Sequence, residues 1–380
     1  MRILYVSTGS GAHDAKILRE LKKRGYDVHY APLAPVWRPV TVDHFKTTNL
    51  GYDDSVQGSR LHRLFSFALS YARSYLNLRR LLRGYHPDIL HATFIQTAGL
   101  ISAATGFHPL LLSPWGSDVL RYPRDSVVMR VLTMYAVSMS DAVFCDSEAV
   151  RGTLGRLTGN RIDNVPVIPW GVSLDLFRQD HQARLATRRE LGWEDCRVII
   201  MTRSFYSIYG VAYFLESLPA VFETEPAARA LLIGKGPLEH DLHQLVQKLG
   251  IRDKVRFLGE IPNAEMPRYL NSADIYVSSS LSDSTSVSLL EALACGLPVV
   301  VTDVAANLEW IKDGVNGLVV PQQDTRRLGE AILSLMRDER GRREMSLRNI
   351  AKAGERANWD RNFSEVEELY RKLAAKPQHQ

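Results

Sequence analysis

Residues 278–303 read SSSLSDSTSVSLLEALACGLPVVVTD, from Ser278 to Asp303. The apolar run Ile275-Tyr-Val277 leads into this serine-rich loop, a helical pattern runs on to Gly296, and Pro298 opens another apolar run, Pro298-Val-Val-Val-Thr302. Runs that apolar fit strands covered on both faces, as in a parallel sheet with helices on either side. The same alternation extends outward. In the second half it includes Val198–Thr202, Ala230–Ile233 and Val255–Leu258; in the first half Arg2–Ser7, Val28–Ala31, Asp88–His91, Leu110–Ser113 and Ala142–Cys145. The rhythm breaks at Asn164–Phe177, where two prolines and a glycine mark a linker. The expected fold class is therefore α/β, two doubly wound Rossmann-like domains over 1–168 and 169–358 facing a central cleft. Ligands of such sheets bind beyond the carboxyl ends of the strands, so chemistry is to be sought just after them.

A chain of 380 residues exceeds what one core usually holds, in line with two domains. At 45% apolar and 23% charged it is neither a disordered chain nor a fibre. No run reaches the ~18 apolar residues of a membrane span. The start, MRILYVSTGS, enters a strand directly and does not read as a signal peptide. Cys145, Cys196 and Cys295 form neither a zinc motif nor a disulfide framework, so the expected setting is reduced and cytoplasmic. Residues 1–170 hold 20 Lys/Arg against 13 Asp/Glu and the remainder 27 against 29, so the excess positive charge lies in the first half. Nucleic acid, an acidic membrane surface and a phosphate-bearing substrate are all partners that such a half could meet.

After the first strand comes Ser7-Thr-Gly-Ser-Gly11-Ala-His13. Small residues let a ligand near the backbone, and the following helix start offers free amides and partial positive charge; an ordinary strand-to-helix turn also wants glycine. The dinucleotide spacing Gly-x-Gly-x-x-Gly is missing, which disfavours a nicotinamide cofactor. In the opening stretch, Asp283 and Glu291 stand eight apart around Ser284–Ser288. Serine amides and hydroxyls there can hold phosphate oxygens, and each carboxylate can accept from two sugar hydroxyls. A capped helix with an outward glutamate is the plainer alternative.

With Asp283, seven residues and Glu291, this stretch resembles the family-4 retaining glycosyltransferases of the GT-B fold, whose hallmark is two glutamates at that separation. The segments Ala292–Val300, Asp313–Pro321, Ile168–Phe177 and Ile233-Gly-Lys-Gly-Pro237 look like the same family. The resemblance implies that Glu291 holds the donor ribose and Asp283 the hydroxyls of the transferred sugar, while amides near Ser286, Val287 and Ser288 meet the diphosphate. Arg203 would neutralise the leaving diphosphate, and loops at Gly234-Lys235-Gly236 and Gly259–Ile261 would line the base. It further implies a last helix, about 359–376, that returns to the first domain. The donor would be a nucleoside diphosphate sugar, UDP before GDP, as a substrate with no cofactor. The reaction would be metal-independent, since no Asp-x-Asp occurs. The acceptor would be a sugar, glycolipid or small metabolite, as in glycan, glycolipid or cell-envelope synthesis. A nucleotide-sugar epimerase of the same fold and a non-catalytic sugar-nucleotide-binding subunit are the alternatives.

Three positions depart from the family pattern. Tyr209 stands where a lysine precedes a glycine, and brings a hydroxyl but no charge. Trp115, in Ser113-Pro-Trp115-Gly-Ser-Asp118, stands where a histidine is usual; with Asp118 it falls on the acceptor side, stacking on a sugar or filling core. Asp283 itself is one methylene short. His13 and His91 join Arg203 and Asp283 as catalytic candidates: His13 beside the small-residue loop, His91 either facing the cleft or satisfied in the core. His240 and His243 are a metal spacing without a third ligand, so no metal site is expected.

Residues 55–87 carry Arg60, Arg63, Arg73, Arg79, Arg80 and Arg83 with no acidic residue. Leu61, Leu64, Ala68, Ala72, Tyr75, Leu78 and Leu82 recur at helical spacing, which reads as a core-facing stripe under a basic solvent face. The other reading is peripheral contact of residues 60–83 with anionic lipid or a phosphate-bearing acceptor. Nucleic acid lacks a recognised motif here. The oligomeric state is not legible.

Overall fold

The computed structural model describes residues 1–9, 11–34, 45–51, 60–159 and 165–375, with backbone alone at 12, 60–65 and 67. The chain divides into two compact units: Met1–Ile168 with Glu365–Gln380, and Pro169–Ser364.

The first unit's sheet holds β1 (Arg2–Ser7), β2 (Asp27–Pro32), β3 (Lys46–Thr47), β4 (Ile89–Thr93), β5 (Leu110–Ser113) and β6 (Ala142–Val143), paired in parallel in the order β3-β2-β1-β4-β5-β6. The second unit holds β7 (Arg197–Met201), β8 (Ala228–Leu232), β9 (Val255–Phe257), β10 (Ile275–Ser278), β11 (Val299–Thr302) and β12 (Leu318–Val320), in the order β12-β11-β10-β7-β8-β9. Counted within its unit, each sheet runs 3-2-1-4-5-6, with its switch point at β1/β4 or β7/β10. The apolar runs became strands because helices cover both faces: all of β4, β5, β10 and β11 is buried. Two strands had no clear signal. β3 is two exposed residues, too short for any period, and Leu318–Val320 had stood out as a motif rather than as a strand.

In the helix Arg60–Tyr85 the inward stripe differs from the expected one. Ala68 and Ala72 are exposed, whereas Ser70, Ser74, Leu78 and Leu82 are buried and Tyr71 and Tyr75 half-buried. Tyr71 is anchored by its hydroxyl, which donates to the Gln96 carbonyl at 2.5 Å. Arg73, Arg79, Arg80 and Arg83 are exposed; the side chains of Leu61, Leu64, Arg60 and Arg63 lie outside the described residues.

The last helix spans Trp359–Ala374, and the division between the units falls inside it, between Ser364 and Glu365. Within the first unit its Tyr370 is fully buried and its hydroxyl lies 2.7 Å from Nδ1 of His91. Glu367 pairs with Arg24 and accepts from the Tyr26 hydroxyl at 2.8 Å.

Candidate active site

Arg203 follows β7, the central strand of the second unit, by two residues, and Asp283–Ser288 follow β10 across the switch point. Their loops are braced by backbone bonds, Leu281 N–H donating to the Ile208 carbonyl at 2.8 Å, and by the Ser279 hydroxyl donating to the Gly210 carbonyl at 2.8 Å. This brings Arg203 onto the start of the helix Val287–Ala294, which Ser286 caps by accepting from the Leu289 amide. One guanidinium nitrogen donates to Ser286 Oγ at 2.5 Å and Ser288 Oγ at 3.0 Å, the other to Asp283 Oδ2 at 2.5 Å. Nε has no hydrogen-bond partner among the described residues. The Tyr209 ring lies 4.0 Å from the guanidinium carbon, a cation–π contact. The Tyr276 hydroxyl donates to Ser288 Oγ at 3.0 Å.

Burial lowers the Arg203 pKa, but Asp283, Tyr209 and Tyr276 more than offset it and hold it above the ordinary arginine value. For Asp283 burial wins: its carboxyl is raised even though Arg203 pulls it down. Glu291, on the same helix, is buried and accepts from Asn263 at 3.1 Å. Gly234, after β8, has φ +150°, and a Cβ there would sit 2.2 Å from the Arg203 carbonyl oxygen. That loop therefore rests directly on the backbone of the arginine. Gly236 packs as closely on Phe205, while Lys235 is exposed. Val287 is half-buried at the helix start.

The sequence pointed to most of these residues separately. It did not reveal the ion pair between Asp283 and Arg203. The carboxylate expected on sugar hydroxyls is engaged by the guanidinium, and the short aspartate side chain holds it there. Nor did it reveal Asn263, or that Tyr209 meets Arg203 with the face of its ring. The available signal was topological: opposite charges just past two adjacent strands.

In the first unit the loops after β1 and β5 bring His13 and Trp115 together, both half-buried, with ring centroids 5.8 Å apart. Two assigned residues are corrected. His91 is not at the crevice: it is fully buried, both ring nitrogens are hydrogen-bonded (to Tyr370 and, at 2.8 Å, to Ser113), and burial lowers its pKa to about 3. It is the satisfied core histidine. Asp118 does not reach the acceptor side either. It is fully buried and accepts from the Ile95 and Trp115 amides at 3.0 Å each, with burial raising its pKa to about 6.

The loop around Gly11 also differs from the phosphate cradle that its small residues suggested. Asp14, in the first turn of the following helix, is fully surrounded and accepts from Tyr5 at 2.9 Å and Ser7 at 2.8 Å. A backbone bond from Gly11 reaches it too. The helix start thus already holds an acidic group from its own chain; Ser10 lies outside the described residues. His240 and His243 are exposed, His240 bonded to Gln244 and His243 against Phe257. Among the described residues no group of three or more His, Cys, Asp or Glu is placed to hold a metal, and no helix is long and apolar enough to cross a membrane.

Residues 2–147 match the family described as glycosyl transferase 4-like, and 184–354 that of the glycosyl transferases group 1. The chain belongs to the family-4 glycosyltransferases of the GT-B fold. The chain is 24% identical to the N-acetyl-alpha-D-glucosaminyl L-malate synthase of Bacillus anthracis over 95% of this chain and 93% of that protein. It is 31% identical to the phosphatidyl-myo-inositol mannosyltransferase of Mycobacterium leprae over 54% and 53%. Several curated relatives are matched over only half to two thirds of their length. Among solved structures, Anabaena HepE in complex with UDP-glucose shares the fold, with a TM-score of 0.82 and 20% identity over 98% of this chain and 100% of that one.

Proposed function

We propose that this chain transfers a sugar from a nucleoside diphosphate sugar, UDP-linked before GDP-linked, to an acceptor hydroxyl with retention at the anomeric carbon. The observation that carries the reading is the Arg203 guanidinium, buried at the β7/β10 switch point on the start of the helix Val287–Ala294. The hard step is departure of a diphosphate. A fixed cation and a helix N-terminus provide stabilisation where that charge grows, without a metal ion or cofactor. Asp283 holds the guanidinium, and an arriving diphosphate competes with it for the same donors. In this reading Glu291 accepts from the donor ribose, the Gly234–Gly236 loop lines the base, and His13 and Trp115 of the first unit meet the acceptor. As the family resemblance implies, the leaving oxygen takes the acceptor's proton, so no protein base is assigned. HepE, with UDP-glucose bound, and the relatives named for mannosyl and N-acetylglucosaminyl products support this donor class. The acceptor belongs to glycan, glycolipid or cell-envelope synthesis, in the cytoplasm, with the exposed arginines of 60–83 available to an anionic membrane.

The test is a panel of UDP- and GDP-sugars, screened for thermal stabilisation and then for release of UDP or GDP with and without candidate acceptors. Stabilisation by one donor with acceptor-dependent nucleotide release is expected. Binding without release across the panel would identify a non-catalytic subunit, and an isomerised nucleotide sugar formed without acceptor would identify an epimerase.

A further inference from the structure

The helix Val127–Ser138 (VVMRVLTMYAVS) is apolar on both sides. Its inner side is accounted for: Thr133, Ala136 and Val137 are buried, and Thr133 Oγ1 accepts from the Gln96 side chain at 2.6 Å. Its outer side is open. Val127, Val128 and Val131 are 78%, 64% and 58% exposed, Met134 and Tyr135 42% each. The spacing of these residues (first, second, fifth, eighth and ninth) places them on one face. Tyr122, just before the helix, is 41% exposed as well. A contiguous apolar face of this kind marks a surface that is covered in use.

The charges around the face indicate what covers it. The helix has no acidic residue, and Arg130 lies on it. Arg124 and Arg130 are exposed and have no ion pair among the described residues, while Arg121 is paired with Asp125. Gln96 links the helix to Arg60–Tyr85, donating to Thr133 and accepting from Tyr71 through its carbonyl, and that second helix carries the exposed Arg73, Arg79 and Arg80. A second copy of the chain meeting this patch about a two-fold axis would set these arginines against one another. A surface of anionic phosphate headgroups over acyl chains complements both the arginines and the apolar side chains.

We infer that the face made by Val127, Val128, Val131, Met134 and Tyr135, with Arg124 and Arg130, docks the first unit onto an anionic lipid bilayer, the valines entering the headgroup boundary and the arginines meeting lipid phosphates. The inference goes beyond the transferase reading and does not rest on it, since docking is measured without turnover.

The full chain is sedimented with phosphatidylcholine vesicles, alone or with about 30% phosphatidylglycerol to supply a negative surface potential. Expected is salt-sensitive binding to the anionic vesicles only. Val128→Asp with Val131→Asp should abolish it without moving the thermal transition, because both positions are already in water. Replacing Arg124 and Arg130 with alanine should weaken it about thirtyfold, given what each basic residue contributes near such a surface. Failure of the native chain to bind, or binding that survives the valine pair, overturns the inference. Loss confined to Arg73→Glu with Arg80→Glu would place the contact on the other helix and overturn it too. So would a dimer that dissociates on Val131→Asp while vesicle binding is absent.

Discussion

Arg203 donates to Ser286, Ser288 and Asp283 at once and carries the Tyr209 ring on its face. This arrangement makes two residues separable by kinetics. Arg203→Ala should lower kcat about 100- to 1000-fold, the usual loss of a donor aimed at developing charge, while KM for the donor moves far less. Equal small changes in both would remove it from its role. Tyr209 meets the guanidinium with its ring, so Tyr209→Phe should keep most activity, whereas Tyr209→Leu should lose about 1–2 kcal/mol of transition-state stabilisation, or roughly five- to thirtyfold in kcat/KM. If phenylalanine were as poor as leucine, the hydroxyl would be the working part after all.

Elements, rather than single residues, explain why two buried carboxyls sit near the switch point of the first sheet. Asp14 starts the helix after β1, and Asp118 fastens the turn after β5 to the segment after β4; burial raises each to about 6. An acid raised from 3.8 in the folded state binds its proton more tightly there than when unfolded. Its favourable contribution is complete below about pH 4 and is lost as pH rises through about 6. Asp118→Asn does not titrate, so its stability relative to the native chain should improve by about 2–3 kcal/mol between pH 4 and pH 7. Denaturant melts of both proteins at the two pH values check this, and a constant gap would show that Asp118 does not titrate with folding. Asp14 was hidden in the sequence because Tyr5 and Ser7 reach it only once its helix folds back along β1, and Tyr30 only once β2 pairs with β1.

At the scale of the molecule, the chain returns to its first unit with residues 365–374, and that return is a structural fixture. Tyr370 is fully buried against Tyr26 and His91, and Glu367 ties to Arg24 and Tyr26. Tyr370→Ala should therefore destabilise the first unit by about 3–5 kcal/mol, as large buried aromatics do. In calorimetry its transition should fall while that of the second unit holds, and an unchanged profile would mean that the segment is not seated there. His91→Ala should act in the same direction, leaving chemistry otherwise intact.

Two series of strand, loop and helix, a linker near residue 170, and the placement of Arg203 and Asp283 just past strands were all legible in the sequence, because period and punctuation are local properties. The pairings were not. Asp283 and Arg203, 80 positions apart, become neighbours only because β10 pairs with β7; His91 and Tyr370, farther apart still, meet because the last helix returns to the first unit. The same holds for Val127–Ser138, whose composition suits a core helix. Whether an apolar side chain ends in a core or at the surface depends on what the rest of the chain packs against it, and here one side was left uncovered.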